Sequence, residues 1–161
     1  MNLSSSPKRN PLPKESGISS PANDTNWAVN EFAAADLGDP RRTTRVIELA
    51  TALAQHPTAS LPEACGKGAM LKAAYRFFSN DAIEPQDVLP SPIEATSSRL
   101  AKVPLVLAVQ DTTEVDWTSH RATKGLGPLS HKACQGLHVH STLALTPERV
   151  PLGLLAHQVW A

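Results

Sequence analysis

Hydrophobic and polar positions divide the chain into three stretches. Residues 1–24 (MNLSSSPKRNPLPKESGISSPAND) carry almost nothing to bury, so they are expected to form a mobile tail that cannot offset its ordering entropy. From Trp27 the spacing becomes helical. Trp27, Glu31 and Ala34 share one face, Ala28 and Phe32 a neighbouring one, and Leu37-Gly38 is expected to close this helix with Gly38 at the left-handed cap. Asp39-Pro40 then reads as an N-cap followed by proline at the first helical position. The helix they open should run to about His56, because Pro57 disfavours helical geometry before it. Val46, Leu49, Ala50, Leu53 and Ala54 make its buried stripe, and Arg41, Arg42, Arg45 and Glu48 fall mostly off it.

Ser60-Leu-Pro-Glu63 predicts a capping box and a short helix interrupted by Gly66 and Gly68. A stronger helix follows over 69–79, with Met70, Ala73, Ala74, Phe77 and Phe78 on its apolar side and Lys72, Tyr75 and Arg76 partly exposed. Ser91-Pro-Ile-Glu94 predicts another capping box and a helix to about Lys102. After Pro104 the period changes. Leu105–Val109 is a continuous apolar run, expected as a strand buried on both faces and ending in Gln110-Asp111-Thr112-Thr113. A loop over 118–136, a strand over Leu137–Leu145, a turn at Thr146–Arg149 and a strand over Val150–Trp160 complete the pattern, the last two strands pairing antiparallel across the short turn. The predicted domains are therefore 1–24, 25–102 and 103–161: a tail, an all-helical unit and three strands of an incomplete α/β layer.

Charge changes this picture only locally. Fifteen Lys/Arg balance fifteen Asp/Glu, so the chain is no general polyanion binder, and any nucleic-acid contact must come from a patch. Between Pro40 and Arg76 six cations (Arg41, Arg42, Arg45, Lys67, Lys72, Arg76) face two Glu. Arg41 and Arg42 lie in the opening turn of a helix, where guanidinium groups and free amides can hold phosphate, and Tyr75 sets an aromatic ring beside Arg76. Taken alone, the spacing is accounted for more simply by a solvated basic helix face. Cys65 and Cys134 are far apart and suit a reducing cytosol. No apolar run approaches the roughly 20 residues of a membrane span, and with no apolar segment behind Lys8 and Arg9 a secretory signal is not expected.

Asp111 is the candidate for metal chemistry. A carboxylate just past a hydrophobic strand emerges from a fixed backbone, and Mg2+ or Mn2+ prefers such hard oxygen ligands. Capping a turn through the Thr112 or Thr113 amides is the other role the residue suits. Glu114 and Asp116 are near enough in sequence to crowd one ion with it. Cys134, His138 and His140 lack the second close pair of a zinc site, and His157 reads as a core or edge residue.

Together these segments resemble a known family. Leu37-Gly38-Asp39-Pro40-Arg41-Arg42-Thr43-x-Arg45, Ala74-Tyr75-Arg76-Phe77-x-x-Asn80, Asp111-Thr112-Thr113, His140-Ser141 and Gly153-Leu154-Leu155-x-His157-Gln158-x-Trp160 are similar, in order and spacing, to the bacterial cut-and-paste DDE transposases related to the transposon-five and insertion-sequence-four elements. The resemblance implies an α+β chain: an N-terminal all-helical DNA-binding domain, then the first three strands of an incomplete ribonuclease-H-like core. It implies that Arg41, Arg42, Arg45, Lys72, Tyr75 and Arg76 contact double-stranded DNA at transposon ends. It places Asp111 as the first of three carboxylates that hold two Mg2+ or Mn2+ ions, one activating the attacking oxygen and the other stabilising the leaving oxygen. Full-length relatives act as homodimers, and the implied location is the bacterial cytoplasm, at the nucleoid. The family's second Asp and its Glu fall beyond residue 161, so the expectation is a DNA-binding fragment that does not cleave DNA alone and does not stably hold the ions. An accessory or regulatory DNA-binding protein and a small metal-dependent hydrolase using Asp111 with Glu114 or Asp116 are the alternatives.

Overall fold

Helices occupy the first part of the chain and an antiparallel sheet the second. The computed structural model describes residues 26–161; the expected tail lies outside them. Six helices, α1 (Trp27–Phe32), α2 (Pro40–Gln55), α3 (Leu61–Cys65), α4 (Ala69–Phe78), α5 (Pro85–Val88) and α6 (Pro90–Leu100), precede strands β1 (Leu107–Asp116), β2 (Gly127–Pro128), β3 (Gln135–Leu145) and β4 (Pro151–Trp160).

The first helix is shorter than its periodicity predicts. It stops at Phe32, whose carbonyl accepts from the Ala35 amide (3.1 Å), and the segment beyond is tied to α2: Ala35 O accepts from the Thr43 hydroxyl (2.9 Å) and Leu37 O from Arg42 Nη1 (2.8 Å). Gly38 does adopt φ +72°, but it serves the turn into α2, its amide held by the Asp36 carboxylate, rather than capping α1. Asp39 caps α2 as expected, accepting from the Arg41 amide at 2.8 Å with Pro40 at the first position. Its Val46 and Leu49 are buried. Val46 packs with Ala35 and Leu37, Leu49 with Cys65 and Ala74, and Phe77 touches both groups, so α2 is the spine of the helical part.

Glu63 holds the start of α3 by accepting from the Ser60 amide (2.8 Å) and hydroxyl (2.7 Å). The second predicted capping box does not form. Helix α6 begins at Pro90, two residues earlier than a Ser91 cap would place it, and Ser91 is buried with its hydroxyl donating to Glu31 O at 2.6 Å. Short helix α5, unforeseen in the sequence, is opened by the Glu84 amide donating to Asp87 (2.9 Å).

Strand β3 is central, paired antiparallel with β1 on one side and with β4 and the two-residue β2 on the other. Two corrections concern β1. It continues through Asp111 to Asp116 instead of ending near Thr113, and it is not buried on both faces: Leu107 and Val109 remain 43% and 49% exposed. Among the described residues β1 pairs along one edge only, and the face bearing Val109 and its cross-strand neighbour Leu143 is exposed. The opposite face is covered where α6 meets β4. There Ala144 is fully buried opposite Gly153, and Arg99 of α6 donates to Leu152 O while gripping Glu31 of α1 at 2.7 and 3.2 Å. No helix among the described residues is long and apolar enough to cross a membrane.

Candidate nucleic-acid interface

The six residues expected at DNA, five cations and one aromatic, separate into two kinds. Arg41, Lys72, Tyr75 and Arg76 are exposed, and among the described residues none of the three cations joins an ion pair. Lys72 and Arg76 are four apart on α4 and share a face, with Tyr75 (52% exposed) beside them. Arg41 stands at the N-terminal end of α2, where the helix dipole adds to its positive field. Arg42 is different. Its guanidinium donates to Leu37 O and, at 3.2 Å, to Ala82 O forty residues away, which ties the α1–α2 turn to the segment after α4. Arg45 is half-buried, paired with Glu48 and touching Met70 Sδ at 3.5 Å. Both are partly spent on the fold, a distinction that sequence spacing did not carry.

An apolar cleft of about 870 Å³ lies between α2, α4, α5 and β4, lined by Leu49, Leu53, Phe77, Phe78, Ile83 and Val159 among others. Its walls are mainly hydrocarbon and include none of Arg41, Lys72 and Arg76, so the cleft and the cationic helix faces are separate features.

Asp111 lies in the middle of β1 and is exposed, opposite Ser141, with Thr113 Oγ1 at 3.4 Å from its carboxylate. It is therefore in mid-strand on an edge strand, neither at the strand's carboxyl end nor a turn cap. Strand alternation turns Glu114 and Asp116 to the other face, and each is already engaged. Glu114 accepts from the amide of Ser130 (2.9 Å) and its hydroxyl and sits 3.8 Å from His138, while Asp116 accepts from the Thr118 amide at 2.8 Å. The three carboxylates, near enough in sequence to crowd one ion, are thus not brought together, and among the described residues no group of three or more His, Cys, Asp or Glu is arranged to hold a metal. The residues present do not fit a two-ion centre. The same row of the sheet carries a pair that the sequence did not reveal: Ser141 Oγ lies 3.1 Å from His157 Nδ1, a contact set by strand register alone. His138 stacks on Trp160 at 5.4 Å for the same reason.

Hydrogen bonding sets the acid behaviour of the loop beyond β1. The Ser130 hydroxyl and amide, with a smaller contribution from His138, hold Glu114 below the usual carboxylate range; Thr118 does the same for Asp116. The Asp116 hydrogen bond raises the Cys134 thiol, which makes it a poor nucleophile at neutral pH. Carboxylates depressed in the folded state contribute stability above their unfolded pKa and lose it as pH falls through the folded value. Protection of the Ser130 amide, taken relative to its intrinsic exchange rate at each pH, should therefore be high at neutral pH and fall only well into the acid range. Glu114→Gln should remove that step; identical acid profiles for the variant and the native chain would contradict the assignment.

A small helical unit with unpaired cations on two helices has the character of a DNA-binding domain. Residues 24–83 match the family model described as transposase DNA-binding. The segment is thus a transposase-type DNA-binding region spanning α1 to α4, with DNA as its partner. All six residues expected at DNA fall inside the match, and Asp111 and the whole sheet fall outside it.

Proposed function

We propose that the chain is the DNA-binding portion of a cut-and-paste DDE transposase of the transposon-five and insertion-sequence-four type. In this reading it holds double-stranded transposon ends through α2 and α4, and its sheet is the opening of a ribonuclease-H-like core. The family match over 24–83 is the observation that carries the reading. The exposed set Arg41, Lys72, Tyr75 and Arg76 supports it, as does the order of helices followed by an antiparallel sheet. Arg41, Lys72 and Arg76 contact phosphate, Tyr75 packs on sugar or base, and Arg42 and Arg45 combine a contact with their structural bonds. Assembly as a homodimer on paired DNA ends and residence in a bacterial cytoplasm, at the nucleoid, belong to the same proposal.

Asp111 takes the place of the first metal-binding carboxylate, and the chain by itself does not cut DNA. This rests on the donor set: two divalent ions repel strongly at short range, and a single carboxylate on one sheet face does not offset that. Magnesium or manganese binding in this scheme requires carboxylates other than Glu114 and Asp116. Metal-dependent nicking by the purified chain, abolished in Asp111→Asn, would overturn this part and favour the hydrolase.

Mobility shifts on duplex DNA at several salt concentrations test the binding. Affinity should fall steeply with salt because phosphate contacts release counterions. Arg41→Ala/Lys72→Ala/Arg76→Ala should weaken binding at about 0.1 M salt by roughly 10- to 100-fold and flatten the log–log salt slope by about 2 to 3. Absence of a shift at low salt would remove the proposal.

A further inference from the structure

The chain is neutral overall, yet its charge is unevenly spread. Residues 117–147 hold three of the fifteen basic residues (Arg121, Lys124, Lys132) and none of the fifteen acidic ones. All three cations lie in the connection between β1 and β3, outside the segment matched to the DNA-binding family, and all three are exposed. None joins an ion pair among the described residues.

The connection is built rather than slack. Its base is closed by Trp117 N donating to Gln135 O (2.9 Å) and Gln135 N to Thr118 Oγ1 (2.8 Å). Its return limb is held by β2 pairing with β3, by Leu129 N to Cys134 O (3.1 Å) and by Cys134 N to His131 O (2.8 Å), with the Leu129 side chain buried. The two carboxylates at its root, Glu114 and Asp116, hydrogen-bond to Ser130 and Thr118 and, among the described residues, form no ion pair with Arg121, Lys124 or Lys132. A loop with fixed backbone and free cations presents a defined positive surface at little ordering cost.

Its chemistry points to phosphate rather than to a protein surface. Protein interfaces centre on a desolvated apolar or aromatic anchor, whereas here Leu129 is buried, Trp117 and Leu126 are half-buried, and the exposed groups are long cations with Ser, Thr and His. We propose that the β1–β3 loop is a second phosphate-binding surface, in which Arg121, Lys124 and Lys132 grip the backbone of duplex DNA bound by α2 and α4. This rests on the DNA-binding reading of residues 24–83.

The test uses the full chain and a mixed-sequence duplex, titrated across salt concentrations. The native chain is measured first: no binding at low salt overturns the DNA reading and this proposal with it. Given binding, Arg121→Gln/Lys124→Gln/Lys132→Gln should reduce the log–log salt slope by about 2 to 3 and weaken affinity at least several-fold, since each phosphate contact contributes about 0.9 to the slope. Arg121→Lys/Lys124→Arg/Lys132→Arg should retain the native slope. If the glutamine variant keeps the native slope while the Arg41/Lys72/Arg76 variant loses it, the loop proposal fails and the helical site stands. If the charge-conserving variant fails as badly as the glutamine one, the loop acts through its structure and not its charge, which also overturns it.

Discussion

Replacing Leu49 with alanine is expected to lower the stability of the helical part by about 3 to 4 kcal/mol, in the range for a buried leucine truncated where the surroundings collapse poorly. Leu49 is 2% exposed and is the largest buried apolar side chain at that level of burial among the described residues. Its buried partners, Cys65 and Ala74, are small and sit on α3 and α4, so neither can swing into the space it leaves. Leu61, Met70, Leu71 and Phe77 pack around them, and Phe77 passes the loss on to the Leu37–Val46 group. For a unit of this size the melting temperature should fall by roughly 15 °C, read by far-UV circular dichroism. Leu49→Met, nearly equal in volume, should cost less than about 1.5 kcal/mol. DNA binding by Leu49→Ala should vanish with the fold on warming and persist in the cold, unlike the loss caused by removing Arg41, Lys72 and Arg76. A drop of less than about 3 °C would mean that α2 is not the spine of the helical part.

The elements that were legible in the sequence are those decided within one turn of chain. Asp39-Pro40 opening α2, Ser60–Glu63 opening α3, the stripe through Val46 and Leu49, and the antiparallel strands on either side of Thr146–Arg149 all follow from local spacing. Misreadings arise where a distant partner takes a group that local rules assign elsewhere. Ser91 has the look of a cap, but its hydroxyl is claimed by Glu31 O, sixty residues earlier. Helix α1 has the residues to continue, but the segment after it is tied to α2 through Ala35 O and Leu37 O. The run Leu105–Val109 has the composition of an interior strand, yet apolar composition alone does not say which faces a neighbour will cover.

The candidate site divides along the same line. Exposed Arg41, Lys72 and Arg76 could be read from helical periodicity, because a charge off the apolar stripe faces solvent. That Arg42 braces Leu37 and Ala82 could not, since the second bond spans forty residues. Asp111 was legible as the carboxylate after an apolar run, whereas its separation from Glu114 and Asp116 is a matter of strand parity that appears only once β1 is seen to extend to Asp116. The Ser141–His157 contact depends on the β3–β4 register, which a bulge between Thr142 and Leu143 shifts by one residue beyond it.

The second large effect is expected at the junction of helices and sheet, where Gly153→Ala should destabilise the docking of β4 on α6 by about 2 to 5 kcal/mol, combining overpacking with backbone strain. Gly153 has φ +136°, a conformation L side chains rarely adopt. A methyl group there would overlap Thr96 Oγ1 and come within 2.7 Å of Arg99 Nη2. Neither neighbour can yield cheaply. Thr96 is fully buried with its hydroxyl donating to Pro92 O at 2.8 Å, and Arg99 is fixed by Leu152 O on one side and the Glu31 carboxylate on the other. Displacing Arg99 breaks charge-assisted bonds to both α1 and β4, so the strain at one glycine should loosen three elements together. Limited proteolysis should then cut the native chain slowly and Gly153→Ala rapidly around residues 101–106, the exposed link between α6 and β1. Arg99→Ala, which removes the same bonds without adding bulk, should give the same cleavage pattern at a smaller loss of stability. Because the matched DNA-binding segment ends before α6, salt-sensitive DNA binding should survive in both variants to the extent that α2 and α4 carry it. Equal protease resistance in Gly153→Ala and the native chain would show that α6 and β4 do not depend on this contact.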